Sequence, residues 1–243
     1  MAAQDEATNR SGAAAQKPDL WVFAYGSLMW FSGFAYEEAV RATLTGWRRC
    51  FCIYSVHYRG TPQRPGMVLG LDRGGACTGI AYRIRPEDRA ATLAYLRKRE
   101  QVTGVYREAL VPVTLHTARH EEVLAVAYLV ERAHPSYAGR LPIGVQARLI
   151  LRGRGLSGVN LDYFVNTYAN LAELRIAEPE FRRLMTLAGP LLANGSSPAQ
   201  LRARAQAMCR AHERRSFRCR FKRMRMDQRV RFIWRKKAGA VSA

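Results

Sequence analysis

The chain has 243 residues, 48% hydrophobic and 10% aromatic, the composition of a globular protein long enough for one well-packed domain with extensions. No apolar run approaches the roughly 20 residues that span a bilayer, so a transmembrane helix is excluded. The net charge of +20 is lopsided: fifteen Arg or Lys between Arg202 and Lys237 face only Glu213 and Asp227, so that segment alone carries +13.

Residues 1–18 mix acids, Gln, Ser and Ala without an apolar h-region, which reads as a disordered leader rather than a secretory signal or Arg-rich presequence. Trp21 to Tyr25 is an apolar run without polar alternation, the pattern of a strand buried on both faces, and it stops at Gly26-Ser27. Gly26 has no Cβ to fend off a ligand, so the amides of Gly26, Ser27 and Leu28 can converge on a carboxylate or a developing oxyanion. A purely structural Gly-Ser turn is the alternative. Ser27 is a poor candidate nucleophile, because GSLMW lacks the second glycine of a nucleophile elbow.

Next, Tyr36 to Ala39 reads as a brief helical turn, Arg41 to Ser55 as a strand broken at Gly46, and His57 to Met67 as a Pro- and Gly-dense loop. Met67–Leu71 and Cys77–Ile84, joined by a turn at Asp72–Gly75, form an expected hairpin. Cys50, Cys52, Cys77, Cys209 and Cys219 are odd in number and lack C-x-x-C spacing and neighbouring His. That argues for reduced thiols in a cytoplasm and against a metal site, and Cys50 and Cys52 read as packed side chains on one strand face.

The first substantial helix opens at Pro86, with Glu87 and Asp88 in its first turn, and runs to about Glu100. Its apolar stripe is Leu93 and Leu96, and the i+7 position is Glu100. Burial and the negative end of the helix dipole both disfavour the charged carboxylate, which makes Glu100 a candidate base of raised pKa. The alternative is an ordinary pairing with Arg97 or Arg99 on a solvated face.

Val105–Leu115, with an irregularity at Pro112, and Val123–Val130 complete a sheet of at least five strands. Ile143–Arg152 reads as a helix, and the following GRGLSG matches G-x-G-x-x-G without a βαβ unit, so it reads as a flexible turn. Asn160 is a good cap for a helix burying Leu161, Phe164, Tyr168, Leu171 and Ala172, with Tyr163 off that stripe. A last helix from Pro179 to Ala188 should stop at Gly189-Pro190, followed by a linker at Asn194–Pro198 and the Arg-rich extension.

Six stretches occur in an order that resembles the ChaC-type γ-glutamylcyclotransferases, which cleave glutathione: YGSLMW at Tyr25–Trp30, HYRGTPQRPG at His57–Gly66, GIAYRI at Gly79–Ile84, YLRKRE at Tyr95–Glu100, GVYRE at Gly104–Glu108 and GLSGVNLDYF at Gly155–Phe164. The resemblance implies an α+β fold, a small distorted mixed β-barrel flanked by helices, over about residues 19–190, with 191–243 as linker and basic extension. It implies that Tyr25, Gly26, Ser27 and Leu28 hold a γ-glutamyl group and that Glu100 is the acid/base, with no cofactor and no metal. Tyr106, then Tyr163, are candidates for orienting Glu100 or substrate, each also readable as a phenol satisfied at a core edge. Arg59 is a candidate for the glycine carboxylate of glutathione, or a solvated loop residue. Val56-His57-Tyr58-Arg59 stands where close relatives carry an Asp-His pair before Arg-Gly, so other γ-glutamyl amines stay open as substrates. A third class of function, nucleic-acid or acidic-surface contact through the basic extension, stays open beside a merely solvated tail.

Overall fold

The computed structural model describes residues 19–101 and 103–192; the leader, the linker and the basic extension lie outside the described residues. Five strands close into a barrel: β1 (Leu20–Ala24), β2 (Glu38–Ser55), β3 (Gly66–Ile84), β4 (Tyr106–Leu115) and β5 (Glu122–Val130), in the spatial order β1-β3-β2-β4-β5. All neighbours are antiparallel except β1 and β5, which run parallel through Trp21↔Ala125 and Val22↔Val126 and close the ring. All five residues of β1 are buried, as an apolar run without alternation requires. The β2–β4 contact is short, only Ala42↔Leu115 and Thr43↔Thr114, which distorts the barrel there.

Around the barrel lie α1 (Arg89–Glu100), entered through a 3-10 turn at Pro86–Asp88, α2 (Ile143–Arg152), α3 (Asn160–Glu173) and α4 (Pro179–Leu192). Between α2 and α3 sits a two-stranded hairpin, β6 (Arg154–Gly155) and β7 (Gly158–Val159). Phe51, Phe164 and Phe181 stack where α3 and α4 meet the barrel, with centroids 5.1–6.1 Å apart. No described helix is long and apolar enough to cross a membrane.

Several expectations change. The Tyr36–Ala39 stretch is not helical: β2 already begins at Glu38, which pairs in register with Arg83 and accepts from its guanidinium at 3.1 Å. Asp72–Gly75 is no hairpin turn, because β3 runs unbroken for 19 residues against β2. The ladder slips there between Thr45↔Ala76 and Trp47↔Arg73. Gly46, Gly74 and Gly75 supply the positive φ values (82°, 99° and 71°) that this bulge needs and side chains resist. The expected break at Gly46 is one side of the same bulge.

α4 runs through Gly189 and Pro190 to Leu192, since packing of Phe181, Leu184 and Ala188 holds the axis despite one missing N–H. Ala172 of α3 is exposed, while Val165 and Thr167 are buried.

Asn160 is not a cap. Fully buried, its Oδ1 accepts from the Met67 amide (2.6 Å) and its Nδ2 donates to the Met67 carbonyl (2.7 Å). It thus mimics a neighbouring strand beside β3. Glycines make the approach possible: a Cβ on Gly66 would meet Asn160 Oδ1 at 2.7 Å, and one on Gly153 the Asn160 Cβ at 2.9 Å. Replacing Asn160 by Ala strands both Met67 groups in a dry site, so N160A should lower unfolding stability by about 2–4 kcal/mol, measured by urea denaturation.

Candidate active site

The turn that follows β1 is a single 3-10 turn, Ser27–Met29. Its carbonyls are all engaged. Gly26 O accepts from the Met29 amide (2.9 Å), and Ser27 O from Trp30 and Phe31 (3.3 and 2.9 Å). Tyr82 of β3 donates its hydroxyl to Leu28 O (3.1 Å) and Met29 O (3.0 Å). Arg49 of β2 donates to Tyr25 O, and Arg99 of α1 to Phe31 O at 3.2 Å. In a trans peptide the carbonyl and the next amide point opposite ways. With the Tyr25 carbonyl turned to Arg49 and those of Gly26 and Ser27 to later amides of the turn, the amides of Gly26, Ser27 and Leu28 are directed the opposite way, as donors at the head of the turn.

Glu100 sits at the last turn of α1, with a side chain only 18% exposed, and its Oε1 lies 3.2 Å from Arg99 Nε. Both readings of this residue hold in part: the carboxylate is paired with Arg99, yet it is tucked inward. Arg97 pairs instead with Glu108 at 2.7 Å. Burial pushes the Glu100 carboxyl above the usual range, opposed by the Arg99 charge and hydrogen bond. Arg99 also donates to Ser27 Oγ (2.9 Å) and to the Tyr95 hydroxyl (2.8 Å), so one guanidinium joins the base to the turn. A hydroxyl that faces a guanidinium has no base there to activate it, which leaves Ser27 in a binding position.

Three phenols complete the constellation. Tyr25, Tyr106 and Tyr163 are each close enough to Glu100 for its charge to favour their neutral forms. Burial is the larger cause in all three, holding Tyr25 and Tyr106 well above the usual tyrosine range and pushing Tyr163 up to about 12. They are therefore neutral donors at physiological pH. The Tyr25 and Tyr106 phenols are neighbours, the second raising the electrostatic cost of ionising the first, and Tyr106 donates to Leu69 O at 2.6 Å. Tyr163 does not lie off the buried side of α3: its hydroxyl reaches the Leu69 amide at 3.5 Å. The reason lies in β3. Its outer edge pairs with β1 only at Ile80–Ile84, so Met67 and Leu69 offer their backbone groups to side chains instead.

Arg59 is neither free nor wholly solvated. It donates to Ser157 O (2.6 Å) and Val159 O (3.3 Å) of the β6–β7 hairpin, and its guanidinium lies 5.4 Å from the Tyr163 ring centroid. Burial lowers its pKa, opposed by Tyr163 and Asp162. The GRGLSG stretch is the hairpin itself, docked through Leu156 N to His57 O (3.0 Å) and Ser157 N to Tyr58 O (2.8 Å). The structure thus groups Tyr25, Gly26, Ser27, Leu28, Glu100, Tyr106 and Tyr163, with Arg59 beside Tyr163. Sequence reasoning missed Arg49, Tyr82 and the bridging role of Arg99. No group of three or more His, Cys, Asp or Glu among the described residues could hold a metal ion. A separate cleft along α3, lined by Tyr168, Leu171, Ile176 and Arg182, contains none of these groups.

A carboxylate whose folded-state pKa is raised binds its proton more tightly than the unfolded chain does. Its contribution to stability is full at low pH and is lost as pH rises through the folded-state value. The E100Q variant should therefore be more stable than the parent at pH 7, the difference vanishing below about pH 4. Urea unfolding across that range tests it; a less stable E100Q at pH 7 would mean that Arg99 outweighs burial.

A family model described as ChaC-like protein matches residues 20–188. A glutathione-specific gamma-glutamylcyclotransferase of Escherichia coli (strain K12) is 33% identical over 203 residues, covering 82% of this chain and 87% of that protein. The Mus musculus glutathione-specific gamma-glutamylcyclotransferase 1 is 33% identical over 185 residues, 74% of this chain and 83% of its own length. A crystal structure of a yeast gamma-glutamyl cyclotransferase specific to glutathione superposes with a TM-score of 0.64 at 22% identity, covering 72% of this chain and 97% of that one. That likeness bears on the fold.

Proposed function

The chain belongs to the ChaC-like family, and from that premise we propose that it is a γ-glutamylcyclotransferase acting on glutathione through residues 19–190. A γ-glutamyl amide carries its own nucleophile. The α-amine attacks the γ-carbonyl carbon, a five-membered ring closes, and the amide C–N bond breaks to release 5-oxoproline and Cys-Gly. Holding the two ends of the glutamyl group in a bent conformation replaces much of the barrier by binding. Glu100 takes a proton from the α-ammonium and returns one to the departing nitrogen, a cycle in which no covalent enzyme intermediate forms.

The observation that carries this reading is the buried Glu100 carboxylate close to three phenols and joined through Arg99 to a turn whose carbonyls are already engaged. Those amides would take the α-carboxylate or the oxyanion of the tetrahedral intermediate. Tyr106, beside Tyr25, would orient Glu100 or the substrate, and Tyr163 would line the same wall. Arg59, on the side of Tyr163, would meet the glycine carboxylate. The free, buried thiols of Cys50, Cys52 and Cys77 fit a reducing compartment, the cytoplasm, where glutathione is abundant as the thiol. The nucleic-acid alternative rests on the basic segment alone, which lies outside the described residues.

Incubating the protein with glutathione and measuring 5-oxoproline tests the activity. E100Q should lose about 10²–10⁴-fold in kcat, the range of general acid–base catalysis, and parent-like turnover would remove Glu100 from the mechanism. Selectivity is read by comparing glutathione with γ-glutamylcysteine, which lacks the glycine carboxylate. In R59M the KM for glutathione should rise about 10- to 100-fold while that for γ-glutamylcysteine stays near the parent value. Equal losses on both would assign Arg59 to holding the Ser157 and Val159 carbonyls only.

A further inference from the structure

One charged side chain lies deeper than any other near the turn and has no part in the chemistry above. Arg49 is wholly buried, and each arm of its fork is used: Nε donates to Tyr25 O, one terminal nitrogen pairs with Glu178 just ahead of α4, and the other donates to Thr78 O at 2.6 Å and lies 3.7 Å from Met29 Sδ. Glu178 is 20% exposed and is the ion-pair partner of this buried cation.

Tyr25 O is the carbonyl of the peptide that ends in the Gly26 amide. A guanidinium fixed on that oxygen from the buried side turns the Gly26 N–H the opposite way, because the two are antiparallel across one rigid plane. Gly26 has no side chain to hold its own orientation, so the plane would otherwise be free to rotate. Met29 Sδ gives the same guanidinium a second contact at the far end of the turn.

We propose that Arg49, held by Glu178, is a positioning residue that sets the direction of the Gly26 amide, and through it the affinity for the γ-glutamyl group. The inference rests on the cyclotransferase reading for its ligand, and its test carries one arm that does not. Lysine keeps the buried charge but cannot reach Tyr25 O, Thr78 O and Glu178 together. R49K should raise KM for glutathione about 10- to 100-fold with kcat within a few fold, and leave the acidic limb of the pH profile in place because Glu100 is untouched.

Independently of substrate, hydrogen exchange should be faster at the Met29, Trp30 and Phe31 amides of R49K, with protection in β5 and α3 kept. Parental KM together with parental exchange in that turn would overturn the proposal. If R49K loses protection throughout the barrel, E178Q decides: a raised KM at parental melting temperature supports the proposal, and a parental KM refutes it. A parent protein that makes no 5-oxoproline from any γ-glutamyl substrate would sink the functional reading, while the exchange comparison would still report whether Arg49 holds the turn.

Discussion

The arrangement depends on where a few backbone carbonyls are sent. A buried strand that ends in Gly-Ser cannot leave its terminal peptide groups unpaired, and in this chain the carbonyl side is satisfied from within. Arg49, Tyr82 and Arg99 reach the turn from β2, β3 and α1, three elements that follow β1 in chain order, and each supplies a donor. What remains for a ligand is the amide side, with a partial positive charge and no Cβ on Gly26 itself. The closed barrel is what brings the three donors round one turn.

Glu100 is held between two opposing effects. Desolvation raises its pKa and Arg99 lowers it. Because Arg99 also holds Ser27 Oγ and Phe31 O, the group that tempers the base is the one that fixes its distance from the turn. The neutral phenols of Tyr25, Tyr106 and Tyr163 fill the remaining wall with donors that add no competing charge.

Features governed by short-range pattern were legible in the sequence. The uninterrupted apolar run of β1, the loop at Gly26, and the helix that turns Glu100 inward behind Leu96 all follow from local periodicity, and they carry the candidate residues Gly26 and Glu100. Features that depend on a partner far along the chain were not. Arg49 alternates with Phe51 on one buried face of β2, but an ionic residue is placed inside only once its acceptors are known, and Glu178 lies 129 positions away. Asn160 has the composition of a cap and the geometry of a clamp because Met67 happens to present both backbone groups to it. Gly74-Gly75 reads as a turn locally, whereas the register of β2 makes it a bulge.

The same long-range logic explains why the phenols gather where they do. β1 is only five residues long and covers β3 from Ile80 to Ile84, leaving the earlier part of that edge without a strand. An uncovered edge must be satisfied or it becomes a pairing hazard. Asn160 takes Met67, and Tyr106 and Tyr163 take Leu69, so three side chains from β4 and α3 stand in for the missing strand. A sixth strand would have satisfied the edge with backbone alone. Side chains satisfy it here, and two of them bring hydroxyls to the edge. A short first strand therefore produces both the amide turn at its end and the strandless edge next to it, and Glu100 lies near the phenols of both.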